Sequence, residues 1–259
     1  MIEPYYMIDF SASDCMFEIR VNDIPMITMN IEGQAATKIP INQAISKSGK
    51  QEITIKVLPL HGKSSLSSAT QLNYTIQLYE VFNNYFNFNK QLEGYESPKI
   101  DEEKVVPLLT DTTTFDAEIP YQLRDYWKDG QDLNHTDDLN LKLRNAYLSL
   151  GNIINEDNYD LFSKKMANRE FNMATSMYLS DKASKSRLNG LINDFKNGFD
   201  TISLSKKAAT IYSAYGKKVA LKKPNGEPAL SFINKESNEE LMLDIEFYLP
   251  EGSDQFEII

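Results

Sequence analysis

The 259-residue sequence has little cysteine and no long apolar run, and each shortage removes a class of protein. Its single cysteine, Cys15, cannot form a disulfide framework within the chain, which favours a reducing compartment. No stretch approaches the roughly 18 apolar residues of a membrane-spanning helix. The first residues, MIEPYYMIDF, contain neither the basic nor the apolar segment of a secretory signal. These features predict a soluble cytoplasmic protein, or a periplasmic one if a leader has been removed.

The sequence also lacks the motifs that identify common catalytic and cofactor sites. Its two histidines, His61 and His135, lie far apart, and no H-x-x-x-H or C-x-x-C pattern is present. The glycine-rich patterns of nucleotide-binding loops and the G-x-S-x-G of α/β-hydrolases are absent as well. Cys15 follows Asp14, whose negative charge opposes thiolate formation, so we expect a buried thiol rather than a nucleophile. The sequence therefore favours a non-enzymatic protein without a metal or a cofactor.

Positive charge is in short supply, because 27 Lys and Arg stand against 37 Asp and Glu, a formal net charge of −10. Most of the imbalance lies between Glu93 and Asp137. Since an acidic surface repels nucleic-acid phosphates and attracts basic proteins, we expect a basic protein partner and no nucleic acid. The alternative is a solvated connector whose charge serves solubility. The residues predicted to contact the partner are Glu96, Asp101, Glu102, Glu103, Asp125, Asp129 and Asp132.

The first 92 residues have the hydrophobic rhythm of β-strands. Apolar residues recur at every second position over 17–21, 53–57 and 72–78, with turn residues between these runs. Several short strands at this spacing predict an all-β domain, a β-sandwich, over residues 1–92. A strand, a turn containing SKSGK and a second strand resemble lectin-like sandwich modules. That resemblance implies a structural or glycan-binding role as one alternative function.

Aromatic residues are plentiful, and one group of them is concentrated in the sequence. It consists of Tyr74, Tyr79, Phe82, Tyr85, Phe86, Phe88 and Tyr95. Alternating aromatics in strands serve mainly core and cross-strand packing. The members after Phe82 lie in a polar, Asn-rich setting, so we expect them to remain exposed and to offer a surface for stacking on a carbohydrate or a peptide.

Residues 93–135 are predicted to form an acidic connector, with a possible strand at Phe115, Ala117 and Ile119 ended by Pro120. From residue 136 apolar side chains recur at three and four positions, which predicts helices. Thr136 is the expected N-cap of the first helix, and Ser180 or Ser184 that of the third. Strand patterns return after Asp200, and helices followed by an antiparallel sheet predict an α+β domain over 136–259. The order of elements resembles cystatin-like and nuclear-transport-factor-like (NTF2-like) folds.

The clearest strand pattern of the chain covers residues 241–249. Asp244 and Glu246 share one face of it, and with Tyr248 they are candidates for a ligand or catalytic pocket. The alternative is a solvated face on which the two carboxylates pair with nearby lysines across the sheet. Those lysines are Lys217, Lys218, Lys222 and Lys223.

The missing motifs and the concentrated negative charge favour a non-enzymatic module that binds a basic protein. A specific instance would be an immunity or antitoxin-type inhibitor that masks a bacterial toxin. The main alternative is an enzyme or small-ligand binder with a pocket in the C-terminal domain, and the further alternative is the structural or glycan-binding sandwich.

Overall fold

The computed structural model describes residues 3–82, 85–101 and 103–259, and the chain divides into two compact units, Met1–Gln122 and Leu123–Ile259. Each unit has its own cluster of buried apolar side chains. Strands account for 43% and helices for 24% of the chain, a mainly-sheet α+β fold. The division falls inside the segment that the sequence predicts as a connector.

The unit Met1–Gln122 is built from one antiparallel sheet. Its strands are β1 (Glu3–Val21), β2 (Ile24–Pro40), β3 (Gly49–Leu58), β4 (Gln71–Phe82), β5 (Tyr85–Glu96) and β6 (Leu109–Ala117). Strand β1 is at the centre. One edge of β1 pairs with β2 along residues 7–21, and the other edge pairs with β4 at residues 3–13 and with β3 at residues 16–21. Beyond them β5 pairs with β4, and β6 pairs with β3.

A β-bulge between β1 and β2 accompanies the curling of this one sheet around a core, and in it Glu32 and Gly33 of β2 lie opposite the single residue Asp14 of β1. Even-numbered residues from Tyr6 to Ala12 are buried, whereas Cys15 and then the odd-numbered residues to Val21 are buried. The change of parity falls at Asp14, which has a φ of 47° and interrupts the pairing with β2. Such a β-bulge bends a strand and increases its twist. The sheet therefore curls into a half-barrel, where the sequence predicts a sandwich of two sheets.

Part of the predicted acidic connector belongs to this sheet. The possible strand at Phe115 is observed as β6, and its residues pair with β3 in continuous register from Ala117 to Leu109. Phe115 and Ala117, together with Ile100 from the preceding segment, lie in the core of Met1–Gln122. The ring of Phe115 is 5.8 Å from that of Tyr6. The acids of this region are thus carried by ordered structure.

The unit Leu123–Ile259 contains three helices followed by short strands. The helices are α1 (Leu139–Asn155), α2 (Tyr159–Ser176) and α3 (Asp181–Lys196); the strands are β7 (Phe199–Leu204), β8 (Ala209–Ser213), β9 (Lys218–Lys222), β10 (Leu230–Asn234), β11 (Glu239–Leu243), β12 (Phe247–Tyr248) and β13 (Glu257–Ile258). The strands form two antiparallel sheets, in the orders β11-β10-β7 and β13-β12-β9-β8. The resemblance of this order to cystatin-like folds stays a prediction.

The helices follow the sequence pattern closely, but one predicted cap is wrong. Ser180 is the cap of α3, since its hydroxyl accepts a hydrogen bond of 3.2 Å from the amide of Ala183. Thr136 does not cap α1; Asp138 occupies the N-cap position, in left-handed conformation and without a capping side-chain bond. The apolar face predicted for α1 includes Ala146, which is half-buried, and six residues that are buried: Leu139, Leu143, Tyr147, Leu150, Ile153 and Ile154.

The prediction of one continuous strand over residues 241–249 is wrong. β11 ends at Leu243 in one sheet, and β12 begins at Phe247 in the other. Leu243, Ile245 and Phe247 are nevertheless all buried. The alternation persists because the chain keeps the same side toward the core while it passes from one sheet to the next.

Candidate functional site

Four strongly exposed aromatic side chains lie together on the hairpin of β4 and β5. The exposed fractions are 54% for Phe82, 74% for Tyr85, 54% for Phe86 and 57% for Phe88. The expectation that the aromatics after Phe82 remain exposed is therefore confirmed for Tyr85, Phe86 and Phe88, but not for Tyr95, which is partly buried against the core. Groups of exposed apolar side chains mark interaction surfaces on folded proteins. We call these four residues the aromatic hairpin.

The register of the hairpin places aromatics on both of its faces. Phe82 pairs directly with Tyr85, and Val81 pairs with Phe86. Residues directly opposite in an antiparallel pair project to the same face, and neighbours in a strand project to opposite faces. Phe82 and Tyr85 therefore lie on one face, and Phe86 lies on the other. A partner can contact this end of the sheet from either side.

The face that carries Phe86 and Phe88 is held in place by ring contacts and a polar network. The rings of Tyr5 and Phe86 meet edge to face at 5.0 Å, and those of Tyr79 and Phe88 at 5.7 Å. The Tyr79 hydroxyl accepts a hydrogen bond of 2.8 Å from the Lys38 ammonium. Edge-to-face pairs of this kind are among the favoured geometries of aromatic rings. Phe86 and Phe88 are thus oriented without a partner.

Four of the seven residues predicted to contact a partner fall within Met1–Gln122, namely Glu96, Asp101, Glu102 and Glu103. Glu96 is the last residue of β5 and is exposed. Asp101 and Glu103 are exposed on the segment that follows, where Asp101 lies 3.1 Å from the ammonium of Lys104. Glu102 lies outside the described residues. These acids thus lie at, or follow, the end of β5 that is away from the aromatic hairpin.

The other three predicted acids belong to Leu123–Ile259. Asp125 and Asp129 flank and end the short 3-10 helix Tyr126–Asp129, and Asp125 pairs with Lys128. Asp132 accepts hydrogen bonds from the amide and side chain of Asn134, which hold the pKa of its carboxyl below the ordinary value. Asp132 is therefore also the cap of a second 3-10 turn, Leu133–His135. The predicted set is divided between the two units.

The carboxylates singled out near the C-terminus are paired with lysines, as the alternative interpretation expects. Asp244 lies 2.7 Å from the Lys222 ammonium. Glu246 accepts from the Lys218 ammonium at 2.5 Å and from the Ser213 hydroxyl at 2.6 Å. Burial alone would raise the pKa of Glu246, but the charge and hydrogen bond of Lys218 lower it below the ordinary value. Glu246 is thus ionised and compensates a buried lysine.

Tyr248, the third member of the predicted pocket, is buried, and its hydroxyl donates to Glu257 at 2.8 Å. Burial and this carboxylate raise its pKa above the ordinary value. The unit does contain a cavity, of about 660 Å³, but its lining residues come from α1, α2, Phe247 of β12 and residues 254–258. Asp244, Glu246 and Tyr248 are not among them. Sequence reasoning missed this cavity, although polar residues spaced by three and four along α1 offer a signal for one of its walls.

Cys15 and the histidines occupy the places that their sequence context indicates. Cys15 is fully buried, and burial together with the charge of Asp14 raises the pKa of its thiol to about 11. The thiol is therefore protonated at neutral pH. His61 and His135 are both exposed. Within residues 3–82, 85–101 and 103–259, no three His, Cys, Asp or Glu side chains are grouped to hold a metal ion.

Comparison with protein-family models, curated proteins and solved structures finds no match to this chain. In the described part of the chain, no helix combines the length and the apolar character needed to cross a membrane. Function is therefore inferred from the surfaces and cavities of the molecule itself.

Proposed function

We propose that this protein is a non-enzymatic module that binds a basic protein partner, with the aromatic hairpin as the anchor and the acidic side chains of the same unit as the source of charge complementarity. The observation that carries this proposal is the exposure of Phe82, Tyr85, Phe86 and Phe88 on both faces of one hairpin. An immunity or antitoxin-type protein that masks a basic toxin is one form that such a module takes.

Aromatic side chains are effective anchors because they bury a large area and have few rotatable bonds. Residues that dominate binding energies are enriched in tryptophan and tyrosine, and each commonly contributes about 2 kcal/mol or more. Phe86 and Phe88 already contact Tyr5 and Tyr79, so little side-chain entropy remains to be lost on binding. Desolvation of these rings by a partner would supply the favourable free energy.

Charge selects the partner that reaches this surface. Residues 1–122 contain 16 acidic and nine basic side chains, a formal charge of −7. Glu80 lies on the hairpin itself, and Glu93 and Glu96 lie on β5. A surface of one sign speeds association with a partner of the opposite sign and discourages partners of like sign. A basic protein with an apolar pocket or groove fits both features.

The experiment is affinity capture with three immobilised baits, read out by mass spectrometry. The first bait is the unchanged chain, and the second carries Tyr85→Thr, Phe86→Thr and Phe88→Thr. The third is a control with the equally exposed Val105→Thr, Leu108→Thr and Tyr126→Thr. Threonine is chosen because it retains a high preference for strands.

We expect a basic protein that is retained by the unchanged chain and by the control but lost from the hairpin variant. Its capture should weaken when the salt concentration is raised, since charge steering is screened. The proposal is overturned if all three baits retain the same proteins, or if the captured partner is acidic or indifferent to salt.

A further inference from the structure

The cavity in Leu123–Ile259 has the size and composition of a small-molecule site. Its volume of about 660 Å³ lies within the roughly 300–1,000 Å³ that is usual for such sites. One wall is a single stripe of α1, a second wall comes from α2, and residues 254–258 with Phe247 close the third side. The stripe of α1 consists of Lys142, Asn145, Ala146, Ser149 and Leu150.

Three lysines without an ion-pair partner among the described residues bring positive charge to this cavity. Lys142 comes from α1, and Lys164 and Lys165 come from α2. None of the three forms an ion pair within the part of the chain that the structure describes, whereas Lys218 and Lys222 of the same unit are paired. The cavity lysines are therefore available to a ligand.

Neutral polar groups of α1 accompany the lysines. Among the described residues, the side chains of Asn145 and Ser149 make no hydrogen bond to another side chain or to the backbone. An amide and a hydroxyl can both donate to an oxyanion. Together with the three ammonium groups they form a set of donors on the walls that α1 and α2 contribute.

Apolar and aromatic side chains also line the cavity. Phe247 is buried and Phe256 is partly buried, with ring centres 6.0 Å apart and planes at 68°. Leu150 of α1 and Ile258 of β13 are buried lining residues as well. The lining thus combines hydrogen-bond donors with aromatic rings.

Two acids also line the cavity and limit its charge. Glu257 accepts the hydrogen bond of the Tyr248 hydroxyl, while Asp254 is exposed. Even with both counted, the cavity carries a net positive charge, although residues 123–259 contain 21 acidic against 18 basic side chains. The sign of the charge is reversed locally, which favours an anion at this place in an acidic unit.

We propose that this cavity binds a small organic phosphate, with the phosphate held by Lys142, Lys164 and Lys165 and an aromatic group packed against Phe256. A phosphate monoester carries about −1.5 to −2 charge at neutral pH and offers three acceptor oxygens, which suits three ammonium groups better than a carboxylate does. The aromatic lining residues Phe247 and Phe256 distinguish such a ligand from inorganic phosphate. This inference does not depend on the aromatic hairpin or on its partner.

Calorimetric titration of the full chain tests the proposal with three probes: phenyl phosphate, inorganic phosphate and the uncharged benzyl alcohol. Phenyl phosphate should bind most tightly, inorganic phosphate more weakly and benzyl alcohol least. In a variant with Lys142→Gln, Lys164→Gln and Lys165→Gln, affinity for phenyl phosphate should fall about tenfold or more. The reason is that each exposed charge pair contributes a factor of about 1.4 to 5 in affinity, and three pairs are lost. Phe256→Leu should weaken phenyl phosphate binding while leaving inorganic phosphate unchanged.

A matched control removes three lysines away from the cavity through Lys206→Gln, Lys207→Gln and Lys235→Gln. All three are exposed, so the net charge changes equally and the fold is not expected to be disturbed. Thermal unfolding without ligand verifies that each variant is folded. Retention of affinity in the control, with amide NMR shifts on α1, α2 and residues 254–258, supports the site. Equal weakening in both lysine variants, or no binding of phenyl phosphate at millimolar concentration, overturns it.

Discussion

Glu246 and Lys218 show how one polar pair is accommodated inside the C-terminal unit. Lys218 is only 5% exposed, and its ammonium is 2.5 Å from a carboxylate oxygen of Glu246. The second oxygen of Glu246 accepts from Ser213. A buried charge is expensive when its partner is removed, because the remaining group is neither hydrated nor paired. The carboxylate therefore serves to compensate the lysine, whichever ligand the protein binds.

Replacing Glu246 with Gln should lower the free energy of unfolding at neutral pH by about 1–3 kcal/mol, less than for a fully buried pair because the Glu246 side chain is a quarter exposed. Asp244→Asn is the matched control; its partner Lys222 is shielded, but Asp244 is half exposed, so the loss should be below about 1 kcal/mol. Urea denaturation of both variants measures the difference. Equal losses in the two variants would contradict this assignment.

The same pair predicts a pH dependence. The pKa of Glu246 is lowered in the folded protein, so the unfolded chain binds the proton more readily. The stabilisation from Glu246 is fully present above the ordinary glutamate pKa of 4.5 and is lost as the pH falls through the lower, folded value. Stability curves of the unchanged chain and of Glu246→Gln should therefore converge in acid. A constant gap down to pH 2 would show that the carboxylate charge is not the cause.

Among the elements, β1 contains a change of parity in its buried side chains at Asp14. The residue has a φ of 47°, and its carboxylate and carbonyl accept hydrogen bonds from Ser67 and Thr70 of the loop between β3 and β4. That loop closes over the place where β4 gives way to β3 along the edge of β1. The bulge is thus fixed by tertiary contacts as well as by local conformation.

Substitution of Asp14 by Ala should destabilise the protein by about 1–3 kcal/mol, since it loses the Ser67 hydrogen bond and keeps a strained backbone. Asp14→Asn should cost much less, because asparagine tolerates a positive φ and offers an acceptor oxygen in the same position. Denaturant unfolding of the two variants separates these effects. If both variants lose the same free energy, the negative charge rather than the backbone geometry of Asp14 is what matters.

Elements whose pattern is local are predicted well from the sequence, and those defined by pairing are not. The buried stripe of α1 from Leu139 to Ile154 follows from spacing along one helix. The alternation over 241–249 gives the buried side chains correctly, yet it does not reveal that the chain changes sheets at Asp244. Period-2 spacing reports which face is buried, and it contains no information on which strand lies beside it.

The candidate sites divide in the same way. The exposure of Tyr85, Phe86 and Phe88 could be predicted because their polar sequence neighbours indicate solvent. The cavity could not be predicted, since Lys142, Lys164 and Phe256 come from three separate segments. The hydrophobic pattern of one segment does not indicate how it packs against the others. At the scale of the whole molecule, long-range packing is therefore what the sequence leaves undetermined.

The two apolar clusters lead us to expect that Met1–Gln122 and Leu123–Ile259 each fold alone, since each has its own core and the size of an ordinary domain.

The shorter fragment 1–92 is the informative control. It lacks the last residues of β5 and all of β6, so Ile100, Phe115 and Ala117 are missing from its core and β3 loses its neighbour. Fragments 1–122 and 123–259 should give dispersed amide NMR spectra and cooperative thermal unfolding, whereas fragment 1–92 should not. If 1–92 folds as well as 1–122, then β6 and Ile100 are dispensable and the acidic segment acts as a linker; if 1–122 fails to fold, its core depends on the rest of the chain.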